Sequence, residues 1–314
     1  MSLFFDTLKS YAAYTDEKLN EILPQKENYQ RKIYEAMRYS LLAGGKRIRP
    51  VLTYVSAELF GLKKEVITPF ALALEMIHTS SLIHDDLPAM DNDDYRRGRL
   101  SNHKRFDEAT AILAGDALLT YAFEVAGNGA SELIREAAAS GDSELAYNAS
   151  KIVPVLAHRV GTEGMIGGQV IDLKAENTTI DGDEHEALCA MKTGCLLAVP
   201  AEMAALVAGR SGTEEAKLLY DYSRAIGVAF QVKDDILDVE GDPTILGKNV
   251  GMDDADNKTT YVTLYGIDGA KIKLTELTAR AKDDCLKLME IPGCDREKAQ
   301  FLFDLAGYLL ERKN

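Results

Sequence analysis

The sequence predicts an all-α protein. Three observations support this fold class: apolar residues recur with helical periodicity along most of the chain, the 314 residues include only 8 prolines, and helix-favouring Ala, Leu, Glu and Lys are abundant. No Pro/Ser-rich linker, low-complexity tract or shift in composition divides the chain. We therefore expect a single domain over residues 1–314, and a content of 46% hydrophobic residues is enough for a large core.

The first predicted helices are bounded by glycine and proline. Residues 29–43 form an amphipathic pattern that ends at Gly44-Gly45, and a second helix opens at Arg49-Pro50 and runs to Leu59. Thr68-Pro69 is a good helix start, because Thr can cap a helix and Pro fits its first turn. The following residues, 70–87, are almost unbroken apolar, which predicts a central helix.

Helical periodicity also dominates the rest of the chain. Residues 258–265 are rich in β-branched side chains, so propensity alone would make this segment a strand. Four glycines with helical spacing precede Gln169 and would let either another backbone or a ligand approach closely; they are Gly161, Gly164, Gly167 and Gly168. Further helices are predicted at residues 108–125, 132–139, 143–160, 184–207, 214–239, 270–289 and 296–312.

Composition limits the partners and the compartment. The net charge of −14 argues against a nucleic-acid partner. The four cysteines lack CxxC spacing, which suits a reduced, cytoplasmic protein, and the N-terminus has no signal-peptide pattern. The most apolar segment, residues 195–209, is interrupted by Pro200 and Glu202. We expect it to be too short and too polar to span a bilayer, so stable membrane insertion is not expected.

Two clusters of three aspartates each carry the functional prediction. Carboxylates crowded this closely repel one another and need a cation between them when they are ionised. Hard oxygen ligands that are open on one side suit Mg²⁺, which takes the rest of its shell from waters and substrate phosphates. Both clusters follow long apolar segments, and they comprise Asp85, Asp86 and Asp91 in the first and Asp234, Asp235 and Asp238 in the second. The sequence therefore predicts a magnesium-bound diphosphate between them.

The alternative reading of each cluster is a solvated helix end, which is the commoner meaning of a lone acidic triplet. The second cluster argues against it, because residues 229–239 form an apolar-rich helical segment that should be buried, where an unpartnered charge is very costly. Asp234 and Asp238 are four residues apart and share one helix face. In the first cluster Asp85 and Asp91 are six residues apart, and Pro88 predicts that the helix breaks so that Asp91 loops back.

Basic residues occur in two short groups that are conspicuous in so acidic a chain. Lys46, Arg47 and Arg49 lie at a helix junction, and Arg96-Arg97 follow the first acidic cluster. Such groups are usually plain surface, but cations beside a helix start also suit an anion, and arginine offers a planar fork for phosphate oxygens.

Other polar residues are weaker evidence. Lys192-Thr193 lies between apolar residues, where a lysine often only snorkels, and Lys248 and Lys258 are loop lysines that together could supply cations above a phosphate. His78 and His84 lack partners at zinc spacing and are more often packed residues than ligands. No Ser or Cys nucleophile arrangement is evident.

Six motifs in this order resemble the trans-polyprenyl diphosphate synthases, the farnesyl and geranylgeranyl diphosphate synthase family of bacteria. They are GGKRIRP at 44–50, IHDDLPAMDNDDYRRG at 83–98, LAGDALL at 113–119, GGQVIDL at 167–173, MKTGCL at 191–196 and AFQVKDDILDVEGD at 229–242. The resemblance implies an isoprenoid-synthase-type orthogonal helical bundle around a deep central cavity. It also implies a homodimer that depends on Mg²⁺.

The resemblance implies a role for each motif residue, with all six aspartates and Lys192 as the catalytic set. The residues that would hold Mg²⁺ are Asp85, Asp86, Asp91, Asp234 and Asp238. Those that would contact the allylic diphosphate are Arg96, Lys192, Thr193, Gln231, Lys248 and Lys258. Those that would form the neighbouring isopentenyl diphosphate site are Lys46, Arg49, His78 and Arg97.

The implied reaction is the head-to-tail condensation of isopentenyl diphosphate with dimethylallyl, geranyl or farnesyl diphosphate. Metal ions and fixed cations stabilise a departing diphosphate without a nucleophile, which agrees with the residues present. A terpene cyclase is the first alternative, but it would not need the GGKRIRP site. A non-catalytic subunit of a heteromeric synthase is the second, but such subunits typically lose aspartates that this chain keeps.

Product length is predicted from Ser80 and Ser81, which lie one helical turn before Asp85, where a growing prenyl tail would run. The family tends to place an aromatic residue here when the product has fifteen carbons. The two small serines therefore favour twenty carbons, with Met76 or Ile77 as a floor. A bulky side chain from another helix could still close the cavity and leave a fifteen-carbon product.

Overall fold

The computed structural model describes residues 2–175, 178–241 and 259–311. Within these ranges the chain is helical apart from one hairpin of two-residue strands, so the all-α prediction is confirmed. The elements are α1 Ser2–Ile22, α2 Arg31–Leu41, α3 Ile48–Leu59, α4 Lys64–Asp85, β1 Tyr95–Arg96, β2 Arg99–Leu100, α5 Asn102–Arg105, α6 Glu108–Ser140, α7 Ser143–Val160, α8 Met165–Ala175, α9 Gly182–Cys189, a π-helical turn Ala190–Gly194, α10 Cys195–Val207, α11 Glu214–Glu240, α12 Tyr261–Glu290 and α13 Arg296–Glu311.

Helix α4 lies at the centre of the bundle. It packs against α3, α6 and α10, and its side chains Phe70, Met76 and Ile77 have no exposed surface. This burial explains why the sequence of α4 is apolar on almost every face rather than on one stripe. A smaller core cluster joins α11 to α9 and α12, so α4 and α11 stand as the two buried helices that carry the acidic residues.

The predicted start of α4 at Thr68-Pro69 is wrong. The helix begins at Lys64, and the Thr68 hydroxyl donates a 2.8 Å hydrogen bond back to the Lys64 carbonyl oxygen instead of capping the helix. Pro69 therefore lies inside α4. A Cβ atom on Gly129 of α6 would be only 2.8 Å from the Pro69 Cβ, so the proline packs against a helix that has no side chain at that point.

This contact also explains the second correction. Residues 108–125 and 132–139 were expected to form two helices, but α6 is one continuous helix from Glu108 to Ser140. Neither glycine in this stretch breaks the helix. Gly129 lies at the close approach to α4, where a side chain would not fit, whereas Gly127 has open space around it.

The β-branched segment at 258–265 is helical from Tyr261 onward. Thr260 and Thr263 form a reciprocal capping box, in which each side chain bonds the backbone N–H of the other, and α12 starts there rather than at residue 270. Gly266, with φ of 71°, then kinks the helix. Helix α1, which the sequence patterns did not predict, packs Phe4 against Phe301 of α13.

Three helical stretches among the described residues are long and apolar enough to cross a membrane by length and composition: Lys64–Asp85, Glu108–Ser140 and Gly182–Val207. The expectation that the segment around residues 195–209 is too short is therefore wrong, because α9, the π turn and α10 form one continuous run. Burial inside the fold accounts for its composition, since 72% of its apolar window is buried, as is 72% of that in α4.

Candidate active site

A cavity of about 590 Å³ lies between α4, α6, α8, the π turn and α11. Its lining combines charged and polar side chains with large apolar ones. Nine residues singled out from the sequence line it: Arg49, His78, Ser80, Ser81, Asp85, Lys192, Thr193, Gln231 and Asp234. Residues from 49 to 234 in the sequence thus meet around one space, and the two aspartate clusters reach it from opposite helices.

The first acidic cluster turns back as predicted. Helix α4 ends at Asp85, and the backbone N–H of Asp91 donates a 2.8 Å hydrogen bond to the Asp85 carbonyl oxygen. Met90 donates to Leu87 across the turn at Pro88, at 2.9 Å. The prediction that Pro88 breaks the helix and returns Asp91 towards Asp85 is confirmed.

Burial dominates the electrostatics of this cluster. It raises the pKa of Asp85 to about 6, against the opposing effect of Lys192, and it raises the pKa of Asp86 to about 6, against that of Arg96. Asp86 is engaged by Arg96, whose Nε donates to its Oδ1 at 2.7 Å. Arg96 also pairs with Asp93 at 3.0 Å, so in this structure both residues lie beside the cavity rather than on its wall.

The second cluster divides its aspartates between two tasks. Asp234 lines the cavity, whereas the Asp235 carboxylate accepts hydrogen bonds from Gln231 Nε2 at 3.0 Å and from the backbone N–H of Tyr261 at 2.8 Å. These contacts join α11 to the start of α12, so Asp235 is a positioning residue in the structure. Asp238 is buried one turn beyond Asp234 and is not among the residues that line the cavity.

The donor set fits a magnesium ion that arrives with its ligand. Among the described residues no three Asp, Glu, His or Cys side chains converge closely enough to enclose a metal by themselves. Mg²⁺ commonly binds through one or two carboxylates and completes its shell with substrate phosphates and water. Asp85 and Asp234 present such oxygens at the cavity, and a bound cation would oppose the burial that raises the pKa of Asp85.

Lys192 lies on the π-helical turn and lines the same cavity. Its Nζ is 2.5 Å from Asp172 Oδ2. Burial acts to lower the pKa of Lys192, but Asp172 and Asp85 outweigh this effect and raise it above its usual value. Asp172 was not predicted as a site residue, although the GGQVIDL motif contains it.

A hydrogen-bonded chain holds the polar wall beside Lys192. The Thr193 hydroxyl donates to Gln231 Oε1 at 3.2 Å, and Gln231 in turn donates to Asp235. The glycines before Gln169 serve packing at this point, because a Cβ atom on Gly168 would lie 2.7 Å from the Lys192 Cα. The sequence left open whether these glycines make room for another backbone or for a ligand. Gly168 makes room for the backbone of the π turn.

The GGKRIRP segment contains one arginine that belongs to the core and another that lines the cavity. Arg47 has no exposed side-chain surface, and it pairs with Asp16 at 2.8 Å and with Glu75 at 2.5 Å, which makes it part of the core. Arg49 instead lines the cavity, and its Nε is buried with no hydrogen-bond partner among the described residues. Burial lowers the pKa of Arg49 to about 10, while Glu75 acts to raise it.

Arg97 joins the same group from the hairpin. Its guanidinium donates to the Gly44 carbonyl oxygen and lies 3.9 Å from Glu75. His78 follows Glu75 by one turn of α4 and lines the cavity. Burial lowers the pKa of His78 well below its usual range, and Arg49 and Arg97 lower it further, so the imidazole is neutral at physiological pH. Glu75 links these cations. It was not predicted from the sequence, because a single acidic residue within an apolar helix belongs to no recognisable motif.

One predicted cation lies away from the cavity, and two others fall outside the described residues. Lys46 Nζ is 5.9 Å from the centroid of the Tyr308 ring on α13 and is not part of the cavity wall. Lys248 and Lys258 lie outside the described residues, so their predicted contacts with the allylic diphosphate stay predictions.

The side chains that could limit the prenyl tail bear on product length. Ser80 and Ser81 line the cavity as expected. Met76 and Ile77 are fully buried in the core and do not line it, so the predicted floor at these residues is not present in this cavity. Large apolar side chains come from other helices instead: Leu119, Met165, Ile166, Val170, Leu173, Leu196 and Phe230.

Comparison with known proteins agrees with this geometry. The polyprenyl synthetase family profile matches residues 30–291. The chain is 43% identical to a farnesyl diphosphate synthase of Micrococcus luteus, with 94% of each chain covered. It is 42% identical to the large subunit 1 of a heterodimeric geranylgeranyl pyrophosphate synthase of Arabidopsis thaliana, with 99% of this chain and 80% of that one covered.

Solved structures extend the agreement to the fold. A geranyltransferase from Legionella pneumophila superposes with a TM-score of 0.83 at 33% identity, covering 100% of this chain and 99% of that one. An FPP/GFPP synthase from Zymomonas mobilis gives a TM-score of 0.81, also at 33% identity, with 99% and 100% covered. The predicted bundle is confirmed, and the chain belongs to the polyprenyl synthetase family.

Proposed function

We propose that the protein is a short-chain prenyltransferase that condenses isopentenyl diphosphate head-to-tail with an allylic diphosphate, in the 1'-4 sense, and releases diphosphate. One observation carries this proposal: Asp85, Asp234 and Lys192 line one cavity together with several large apolar side chains. The names of relatives as farnesyl and geranylgeranyl diphosphate synthases support the same reaction class.

The charged side chains of the lining suit the allylic diphosphate. Mg²⁺ held by Asp85, Asp91 and Asp234 would supply positive charge to the departing diphosphate. Lys192 adds a fixed cation there, and Asp172 keeps its ammonium in place. The apolar wall beyond Leu196 and Phe230 excludes water, which would otherwise quench an allylic cation.

The second diphosphate has its own cations. The Glu75 carboxylate acts to raise the pKa of both Arg49 and Arg97. Among the described residues the buried Nε of Arg49 has no hydrogen-bond acceptor. Neutral His78 can donate a hydrogen bond to an isopentenyl diphosphate without adding repulsion to the two arginines. After the isopentenyl double bond attacks the cation, the released diphosphate is the base that we propose for the departing proton.

This two-site arrangement separates the proposal from its alternatives. A terpene cyclase needs one diphosphate site, so Arg49, His78 and Arg97 beside the cavity would have no purpose in it. A non-catalytic subunit would not need to keep Asp85 and Asp234 at the cavity wall. We also propose Mg²⁺ dependence, a cytoplasmic location and a homodimer, for which exposed Ile112 and Leu113 on α6 offer an apolar face.

The test is a product assay with Mg²⁺, labelled isopentenyl diphosphate and dimethylallyl, geranyl or farnesyl diphosphate as starter, with products separated by chain length. We expect elongation to fifteen and twenty carbons, and loss of activity with a chelator that excess Mg²⁺ restores. Asp234→Asn should lose at least about a hundredfold in turnover. Asp221→Asn on the same helix, outside the cavity, is the matched control. No elongation from any starter would refute the proposed function.

A further inference from the structure

The hairpin after the first acidic cluster links the candidate active site to a second group of cations. Arg96 and Arg99 are direct cross-strand partners. The two residues between them, Arg97 and Gly98, both have positive φ, of 54° and 71°, as a tight two-residue hairpin turn requires. Arg96 and Arg97 are predicted to contact substrate. A ligand bound to Arg99 would therefore lie on the strand that pairs with Arg96.

Arg99 and Arg105 share one aromatic ring on the other side of this hairpin. The Arg99 Cζ lies 4.3 Å from the centroid of Tyr39, and the Arg105 Cζ lies 6.0 Å from the same centroid and 5.2 Å from that of Phe106. The ring is fixed, because Tyr39 packs edge-on against Phe106 at 5.6 Å and its hydroxyl donates to the Leu100 carbonyl oxygen at 2.8 Å. Two guanidinium groups are thus held beside a rigid platform.

Charge balance makes this pair unusual. Neighbouring cations are neutralised locally: Lys32 pairs with Asp107 at 2.5 Å and Lys104 pairs with Asp94 at 2.8 Å. Arg99 and Arg105 have no carboxylate within ion-pair distance among the described residues. In a chain with 50 acidic and 36 basic side chains, two adjacent arginines without acidic partners point to an anion from outside.

The surroundings have the shape of a binding groove. A groove of about 440 Å³ is lined by Arg99 and Arg105, with Lys26 and Arg38 adding positive charge. Glu27 and Glu35 also line it, but both carboxylates pair with Arg31, at 3.2 and 3.1 Å. Arg99 also lines a small pocket that includes Arg96 and Arg97. The cations of the groove therefore adjoin those of the substrate site without lining the large cavity.

We propose that this groove, formed by Arg99, Arg105, Lys26 and Arg38 around Tyr39, is a second anion-binding site for a diphosphate group. Arginine forks bind diphosphate oxygens in a bidentate manner, and the rings of Tyr39 and Phe106 hold both forks in place. The occupant is either free inorganic diphosphate or the head group of a prenyl diphosphate. Its effect on catalysis, which rests on the proposed function, passes through the Arg96–Arg99 pairing of the hairpin.

The test is calorimetric titration with inorganic diphosphate in the presence of a chelator, which removes the metal-dependent site. An Arg49→Gln/Arg97→Gln background removes the two arginines of the isopentenyl site, and we expect this variant to keep one binding site for inorganic diphosphate. Adding Arg99→Gln/Arg105→Gln should weaken that site by roughly tenfold or more. Lys151→Gln/Arg210→Gln removes two charges that line neither the groove nor the cavity, and it should leave binding unchanged.

The possible outcomes distinguish free diphosphate from a prenyl diphosphate head group. They also distinguish failure of this proposal from failure of the proposed function. Displacement of inorganic diphosphate by isopentenyl diphosphate would identify a head-group site, and its failure to displace would identify a site for the free anion. Binding that survives Arg99→Gln/Arg105→Gln, or that falls equally in the control, would overturn the proposal. An absence of prenyl products with groove binding intact would refute the proposed function and leave the site standing.

Kinetics test the coupling through the hairpin. Inorganic diphosphate should inhibit the unmodified enzyme partly non-competitively against isopentenyl diphosphate. In Arg99→Gln/Arg105→Gln the inhibition should become purely competitive, because only the active site then binds the inhibitor. An unchanged inhibition pattern would overturn the coupling.

Discussion

Gly168 of α8 lies directly against Lys192, because a Cβ atom at residue 168 would be only 2.7 Å from the Lys192 Cα. The π turn at Ala190–Gly194 approaches α8 at this point, and the Lys192 ammonium then meets Asp172. The position of a proposed diphosphate-binding cation therefore depends on the absence of a side chain twenty-four residues earlier in the sequence.

Gly168→Ala should displace the π turn and with it Lys192. We expect turnover to fall by at least about tenfold, because a small misplacement of a charged group in a site is costly, and unfolding free energy to fall by about 1–3 kcal/mol. Product formation and denaturant unfolding measure the two effects. Gly127→Ala in α6 is the control, because a Cβ atom there meets nothing within 4 Å. Equal activity of the two variants would contradict this account.

Glu75→Gln tests the carboxylate beneath the isopentenyl site. Removing its charge leaves Arg47 without a buried partner and weakens the hold on Arg97, so KM for isopentenyl diphosphate should rise about tenfold. The KM for the allylic substrate should change much less. Glu58→Gln breaks another half-buried pair, 2.5 Å from Lys298 and outside the cavity, and should lower stability without raising KM. Equal changes in the two KM values for Glu75→Gln would refute a specific positioning role.

The pH dependence of stability follows from Asp85 and Asp86 in the metal-free protein. Burial raises the pKa of each to about 6 from the ordinary 3.8, so between these pH values the folded state binds more protons than the unfolded state. Stability from these groups is therefore lost as the pH rises from about 4 to about 6, and the penalty is complete above that range. Asp85→Asn/Asp86→Asn should remove this slope.

The measurement is urea unfolding at several pH values with a chelator present, compared between the unmodified protein and the double variant. Taking the difference cancels the titration of the other carboxylates. A double variant whose stability relative to the unmodified protein does not increase across this pH range would show that the two aspartates are not desolvated as the structure indicates.

Ser81→Phe tests product length. Ser81 lines the cavity one turn before Asp85, so a phenyl ring there should block the path of the tail. We expect products of fifteen carbons or fewer and little loss of the first condensation. Ser81→Ala keeps the space open and is the control. If Ser81→Phe makes the same products as the unmodified protein, the tail runs along Leu119 and Met165 instead.

The fold class and most of the site could be predicted from local sequence patterns. The helical periodicity and the low proline content predicted the bundle, and Pro88 alone predicted the break that returns Asp91 to Asp85. These predictions succeed because periodicity and proline act within a few residues along the chain. The motif order likewise placed Asp85, Lys192 and Asp234, which the structure brings to one cavity.

Only the tertiary structure decided how distant helices divide the work. Gly129 packs against Pro69 where the continuous helix α6 meets α4, and α4 begins a turn earlier than predicted. The backbone N–H of Tyr261 donates a hydrogen bond to Asp235, which thereby joins α11 to α12. Glu75 gathers arginines from two separate segments. Each outcome depends on an interhelical contact between residues far apart in sequence, and periodicity within one helix contains no information about which partner a side chain will meet.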